Sequence, residues 1–182
     1  VLPVIGTKEL VAWLPTLLGL GARDTVAYPH LAYPTYEVGA LLAGAAPAAT
    51  ASLTELGPRR VGLVWVNSPA NPDGRVLPAE HLAKVVAWAR ERGAVVASDE
   101  CYLEFGWDVE PVSILHPSVC GDSHEGLLAV HSLSKRSNMA GYRAGFVAGD
   151  PDFLAATLDP LYLFPEEGLP NLDSDIYRRM WQ

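Results

Sequence analysis

The sequence predicts an α/β fold, a mostly parallel sheet with helices on both faces, giving three layers. Three observations carry this. Val61-Gly62-Leu63-Val64-Trp65-Val66, residues 94–98 and residues 127–131 are short, continuously apolar runs, as strands buried on both faces are. Between the first two, Leu82, Val85, Val86 and Ala89 recur at helical spacing, opened by Pro78 and closed by Gly93, the proline-first, glycine-last arrangement of a helix. A helix of that length between two strands makes a crossover joining parallel neighbours. Polar residues then cluster directly behind each run, at 67–71, 99–102 and 132–135.

The other elements follow in chain order. Residues 2–5 form a short apolar run ending at Gly6-Thr7. Leu10, Leu14, Leu17 and Leu18 share one face of a helix, which Pro15 should kink or shorten and Gly19 and Gly21 should end. Residues 25–28 read as a strand stopped by Pro29, and residues 31–36 as a turn into a second helix over 36–42. The small, polar stretch 43–58 reads as a short surface strand and loop. Residues 67–74, with Pro69, Pro72 and Gly74, must be a loop. Residues 145–148 read as a further strand. From residue 158 the character changes: Pro160, Pro165 and Pro170 interrupt it, and only 175–181 suits a short helix. The expected division is a main domain over 1–152 and a divergent, poorly structured appendage over 153–182.

Composition narrows the class of function. The 182 residues suffice for one sizeable core, and 49% hydrophobic with 19% charged residues is ordinary for a globular chain. A net charge of -8 argues against nucleic-acid binding, which needs a basic face. The apolar stretch 10–20 is too short to span a bilayer, and no basic segment with a following apolar run and cleavage site marks a signal peptide. Cys101 and Cys120 make no CxxC pair, so a reducing, cytosolic setting is expected. His30, His81, His116, His124 and His131 show no metal-ligand spacing, and no glycine-rich nucleotide loop precedes Lys135.

In an open parallel sheet, ligands bind outside the carboxyl ends of the strands. Asn71, Asp99, Tyr102 and Lys135 should therefore meet along one rim. A lysine near other cations in a dry pocket loses its proton readily and can capture a carbonyl. Ser132, Ser134 and Arg143 around it suit a phosphate. Pyridoxal 5'-phosphate combines an aldehyde, a phosphate, a phenolic oxygen and a pyridine nitrogen. Lys135 would supply its Schiff base. Ser132, Ser134, Arg143 and the amides of Gly6, Thr7 and Lys8 at a helix N-terminus would hold the phosphate. Asp99 would keep the ring nitrogen protonated, Asn71 and Tyr102 would bond the phenolic oxygen, and Tyr33 would stack on the ring. Each residue also has a plainer reading: Asp99 as a helix cap, Asn71 before Pro72 as turn chemistry, Tyr33 and Tyr102 as core aromatics, Thr7 as an N-cap. Their combination favours the site.

Asn71-Pro72-Asp73-Gly74, Ser98-Asp99-Glu100-Cys101-Tyr102 and Ser132-Leu133-Ser134-Lys135 through Gly141-Tyr142-Arg143-Ala144-Gly145-Phe146 resemble the class I/II aminotransferases of fold type I, over about residues 1–152. In texture the chain is most similar to the actinobacterial N-succinyldiaminopimelate aminotransferases of lysine biosynthesis, at Val4-Ile5-Gly6-Thr7-Lys8-Glu9, Ala32-Tyr33-Pro34-Thr35-Tyr36 and His131-Ser132-Leu133-Ser134-Lys135. The resemblance implies the large, cofactor-binding domain of a pyridoxal-phosphate transferase. It implies Lys135 as covalent anchor and proton carrier, Asp99 at the pyridine nitrogen, Asn71 and Tyr102 at the phenolic oxygen, and Tyr33 on the ring. Gly6, Thr7, Lys8, Ser132 and Arg143 would bind the phosphate. It further implies amino-acid and 2-oxo-acid substrates, a cytoplasmic homodimer, and no nucleic-acid or membrane partner. Asp73 stands where the family's loop has threonine. Family members also have a segment before the equivalent of Val1 and a C-terminal small domain bearing the arginine that grips the substrate carboxylate. The chain is accordingly expected to be a fragment.

Two other readings use the same residues: another fold type I reaction, such as a C–S lyase or a cyclopropane-forming synthase, or an inactive truncated domain.

Overall fold

The structure, a computed structural model, describes residues 1–157. Residues 158–182 of the expected appendage, with the helix expected over 175–181, lie outside the described residues. One sheet of seven strands organises the fold: β1 (Leu2–Val4), β2 (Thr25–Pro29), β3 (Ala46–Thr50), β4 (Val61–Asn67), β5 (Val95–Asp99), β6 (Leu127–Ser132) and β7 (Gly145–Gly149). Their spatial order is β1-β7-β6-β5-β4-β2-β3. The pairs from β3 across to β6 are parallel, while β7 runs antiparallel to both β6 and β1. The expected mostly parallel sheet is therefore present. β7 follows β6 after residues 133–144 and pairs beside it in the reverse direction.

Six helices are described: α1 (Thr7–Leu17), α2 (Thr35–Leu42), α3 (Ala79–Arg90), α4 (Pro117–Cys120), α5 (Leu133–Arg136) and α6 (Pro151–Thr157), with 3-10 turns at Leu53–Leu56 and Ala140–Tyr142. Helices cover both faces of the sheet. On one face, Leu10, Val11 and Leu14 of α1, Tyr36 and Ala40 of α2, and Leu154 of α6 pack on Leu63, Trp65, Ala97, Leu128 and Val130. On the other, Leu82, Val85, Val86 and Ala89 of α3 with Val119 and Cys120 of α4 pack on Val64, Val66, Val96 and Ala129. The alternation of these sheet residues between two cores is why their strands read as unbroken apolar runs. The four inward residues expected of the clearest helix are the four buried residues of α3. Among the described residues, no helix is long and apolar enough to cross a membrane.

Pro15 does not break α1; it sits inside the helix, which ends two residues later at Leu17. Lacking an N–H, it leaves the Val11 carbonyl without its usual partner one turn on. That carbonyl faces Gly39 of α2, where a Cβ would stand 2.8 Å from it. The two helices thus pack backbone to backbone, and Leu17 and Leu18 end half-buried rather than central.

The chain departs from β2 through α2 on one face and proceeds from β4 through α3 and α4 on the other. Between β2 and β4 the winding reverses, the arrangement that opens a crevice at the strand ends.

Candidate active site

The carboxyl ends of the central strands are aligned. Asn67 at the end of β4 pairs in register with Asp99 at the end of β5, and Asp99 with Val130, so that β6 overruns it to Ser132. Around these ends lies a cleft of about 400 Å³. It is lined by Asn67 and Asn71 behind β4, Asp99, Cys101 and Tyr102 at β5, and Ser132, Ser134 and Lys135 at β6. Tyr33 from the β2–α2 connection, Thr7, Lys8 and Glu9 from the start of α1, and Arg143 from the turn before β7 complete it. Every residue singled out from the sequence lines this cleft except Gly6. Gly6 instead forms the N-cap of α1 and packs under the Arg143 guanidinium.

Asp99 is 8% exposed. Its Oδ2 accepts a hydrogen bond from the Tyr36 hydroxyl at 2.8 Å and its Oδ1 a longer one from the Cys101 amide at 3.3 Å. It caps no helix. A carboxylate offers about four acceptor sites, so partners for the cleft remain available on it. Burial, then the nearby Asp99 charge, lifts the Tyr36 phenol well above its ordinary range, and the same causes in the same order push the Cys101 thiol up. Both stay protonated beside the carboxylate. The Tyr102 phenol is likewise raised, first by burial.

The loop behind β4 is tied down by Asn67. Its Nδ2 donates to the Asp99 carbonyl at 2.8 Å and the Pro69 carbonyl at 3.1 Å, while its Oδ1 accepts from the Asn71 amide at 2.7 Å. Asn71 is thereby presented to the cleft by a side chain rather than by turn chemistry alone. At β6, the Ser132 hydroxyl caps α5 by accepting from the Ser134 amide at 3.1 Å, which sets Lys135 in a short helix with its side chain exposed. Arg136 turns away to Glu104 at 2.8 Å.

At the other end of the cleft, Thr7 begins α1 with Gly6, not Thr7, as the cap, and Thr7 Oγ1 lies 3.6 Å from Cys101 Sγ. Arg143 adopts a left-handed backbone and its Nη2 donates to Glu9 Oε2 at 2.7 Å. The α1 N-terminus, Lys8, Arg143 and the serines gather where an anion is favoured.

Three contributors escape a reading of the sequence. Tyr36 is legible there only as a helix start. A buried tyrosine, though, must find a partner for its hydroxyl, and its position one turn past Tyr33 aims it at the same region. Asn67 stands out only as part of a polar cluster; its clue is an amide ending an otherwise apolar strand. Glu100, 2% exposed, gives no signal beyond its neighbour Asp99. Its Oε1 accepts from the Ile114 amide at 2.7 Å and Ser113 Oγ at 3.1 Å, and its Oε2 lies 3.1 Å from His131 Nε2.

The family model for aminotransferase class I and II matches residues 1–164. The chain belongs to the class I and II aminotransferases. Members of this family depend on pyridoxal 5'-phosphate. This aminotransferase chain is 66% identical over 158 residues to a protein of Mycobacterium tuberculosis named a probable aminotransferase, covering 87% of the chain and 38% of that protein. It is 61% identical over 158 residues to the 4-dedimethylamino-4-oxo-anhydrotetracycline transaminase OxyQ of Streptomyces rimosus, covering 87% of the chain and 44% of that enzyme. Among solved structures, a probable N-succinyldiaminopimelate aminotransferase from Thermus thermophilus superposes with a TM-score of 0.77 at 28% identity, over 86% of this chain and 44% of that one. The chain thus spans less than half the length of these relatives.

Proposed function

We propose that residues 1–152 are most of the large domain of a pyridoxal-phosphate-dependent aminotransferase, which moves an amino group between an amino acid and a 2-oxo acid, and that 153–182, apart from the α6 residues Phe153 and Leu154 that pack on the sheet, is an appendage to it. The observation that carries this reading is that Asp99 at the end of β5 and Lys135 in α5 behind β6 line one cleft whose far end gathers Lys8, Arg143 and the α1 N-terminus. The donor set fits the group: a buried carboxylate with free acceptor sites for a ring nitrogen, an amide and a phenol for a phenolic oxygen, and cations for a phosphate. Bound there, the cofactor supplies an aldehyde that captures amines and a protonated ring that withdraws electrons.

In this reading Lys135 Nζ anchors the cofactor and, with substrate present, carries a proton to and from the substrate α-carbon. Asp99 holds the proton on the ring nitrogen. Asn71 and Tyr102 hydrogen-bond the phenolic oxygen, and Tyr33 covers the ring face. Thr7, Lys8, Ser132, Ser134 and Arg143 hold the phosphate, with Glu9 steadying the Arg143 guanidinium. Gly6 lies outside the cleft with its amide donating to the Val4 carbonyl at 3.0 Å, and so serves as the α1 cap rather than as a phosphate donor.

For the substrate we propose N-succinyl-LL-2,6-diaminopimelate with glutamate, in lysine biosynthesis, in a cytoplasmic homodimer; the likeness to the Thermus structure supports it. A second reading is an acceptor that is a ring ketone, and the 61% identity to the Streptomyces rimosus transaminase favours it. Glutamate converting the bound cofactor to its amine form supports transamination over lyase chemistry. Return of the amine form to the aldehyde, by the oxo compound that corresponds to N-succinyl-LL-2,6-diaminopimelate or by a ring ketone and not by both, then chooses between the substrates.

The anchoring role is tested by loading purified protein with pyridoxal 5'-phosphate, reducing with borohydride and mapping the adduct by mass spectrometry. The adduct is expected on the peptide carrying Lys135 and lost in Lys135→Ala. An equal yield of label in that variant overturns the reading.

A further inference from the structure

We propose that Tyr36 is a positioning residue for Asp99: its buried phenol, donating to Asp99 Oδ2, holds that carboxylate in one orientation at the end of β5. The inference rests on the reading of Asp99 as partner of the cofactor's ring nitrogen. An ionised carboxylate removed from water must be compensated by donors. The short donor here is the Tyr36 O–H at 2.8 Å, the Cys101 amide being longer at 3.3 Å. Tyr36 is itself fully buried, so its hydroxyl is kept from solvent while the other acceptor sites of Asp99 face the cleft.

The ring that carries the hydroxyl is held from two directions. It stacks on Trp65 of β4, with centroids 4.9 Å apart and an interplanar angle of 24°, and meets the edge of Tyr33 at 6.0 Å and 83°. One side chain therefore touches both Asp99 and the tyrosine assigned to the cofactor's ring face. The phenol, lifted by burial and by the Asp99 charge, stays a donor through the neutral range. The other titratable groups facing Asp99 are Tyr33 from the α2 lead-in and Cys101 and Tyr102 behind β5. Burial first, and the Asp99 charge with it, raises both the Cys101 thiol and the Tyr102 phenol, so these two stay neutral beside the carboxylate. Across the cleft stand Lys8 and the Glu9–Arg143 pair of the α1 end, and Lys135 of α5.

Tyr36→Phe removes the donor and keeps the ring contacts. Cofactor affinity is measured against pH by absorbance titration, with melting temperature recorded alongside. At neutral pH the dissociation constant is expected to rise about tenfold to a hundredfold, as for loss of a hydrogen bond to a charged group. The acid limb of binding should move to higher pH, because a carboxylate that loses a donor protonates sooner as pH falls. Trp65→Phe is the control for packing alone: it should lower the melting temperature and leave the acid limb in place. An acid limb in Tyr36→Phe that coincides with wild type overturns the inference, as does an equal shift in Trp65→Phe. If wild type takes up cofactor and labels at Lys135 while Tyr36→Phe shows no shift, the inference fails and the parent reading stands. If wild type takes up none, both fail.

Discussion

At the scale of single residues, Gly6 decides whether Arg143 can lie where it does. Its φ of 80° belongs to a region that L side chains rarely adopt, and a Cβ there would run into the Arg143 guanidinium and the Glu9 carboxylate. Glycine is needed both for the conformation and for the space. Gly6→Ala should cost about 1–2 kcal/mol of stability from the backbone alone, read by urea unfolding. It should also push the guanidinium off the α1 end and weaken pyridoxal 5'-phosphate at least fivefold, on the order of one lost charge-assisted hydrogen bond. An unchanged affinity would remove Arg143 from the phosphate site.

At the scale of elements, Glu100 fastens the long connection between β5 and α4. Its amide bonds Val130 of β6, its side chain reaches Ser113 and Ile114 at the connection's far end, and its second oxygen meets His131 of β6. His131 in turn stacks on Phe146 of β7, with centroids 4.7 Å apart. One buried carboxylate thus links three strands directly beneath the cleft, with Asp99 as its neighbour in β5 and Ser132 next to its partner in β6. Removing one member of a buried, hydrogen-bonded pair orphans the rest. Glu100→Ala should cost about 3 kcal/mol in denaturant unfolding. A loss below about 0.5 kcal/mol, the scale of an ordinary surface change, would show that the connection is held by other contacts.

At the scale of the whole molecule, the cleft draws on the ends of β4, β5 and β6, the β2–α2 connection, the start of α1 and the turn before β7, so its ligand binds only the assembled sheet. Ligand free energy then appears as global stability. Pyridoxal 5'-phosphate at a hundredfold over its dissociation constant should raise the melting temperature by roughly 5–10 °C, from about 2.7 kcal/mol of linkage and the usual response of a chain this size. No rise, with cofactor bound by absorbance, would place the ligand on a locally unfolding part. Charge fits the same picture. The net charge is -8, yet Lys8, Lys135 and Arg143 converge on this one cleft, so an anion is drawn to a positive site on an acidic protein.

Local chemistry alone makes much of this legible. Unbroken apolar runs name strands buried on both faces, Pro78 and Gly93 bracket α3, and strand-end clusters mark a rim, because each signal depends on residues adjacent in the chain. Asp99, Asn71, Tyr102, Ser132, Ser134 and Lys135 are found that way, and the motifs around them carry the family. The antiparallel turn of β7, the Asn67 tether, the Glu9–Arg143 pair, the Glu100–His131 link and the Tyr36 bond to Asp99 were decided only by tertiary structure. Each joins residues far apart in sequence, and a hydrogen bond forms when packing brings donor and acceptor together, which no local pattern of residue types encodes.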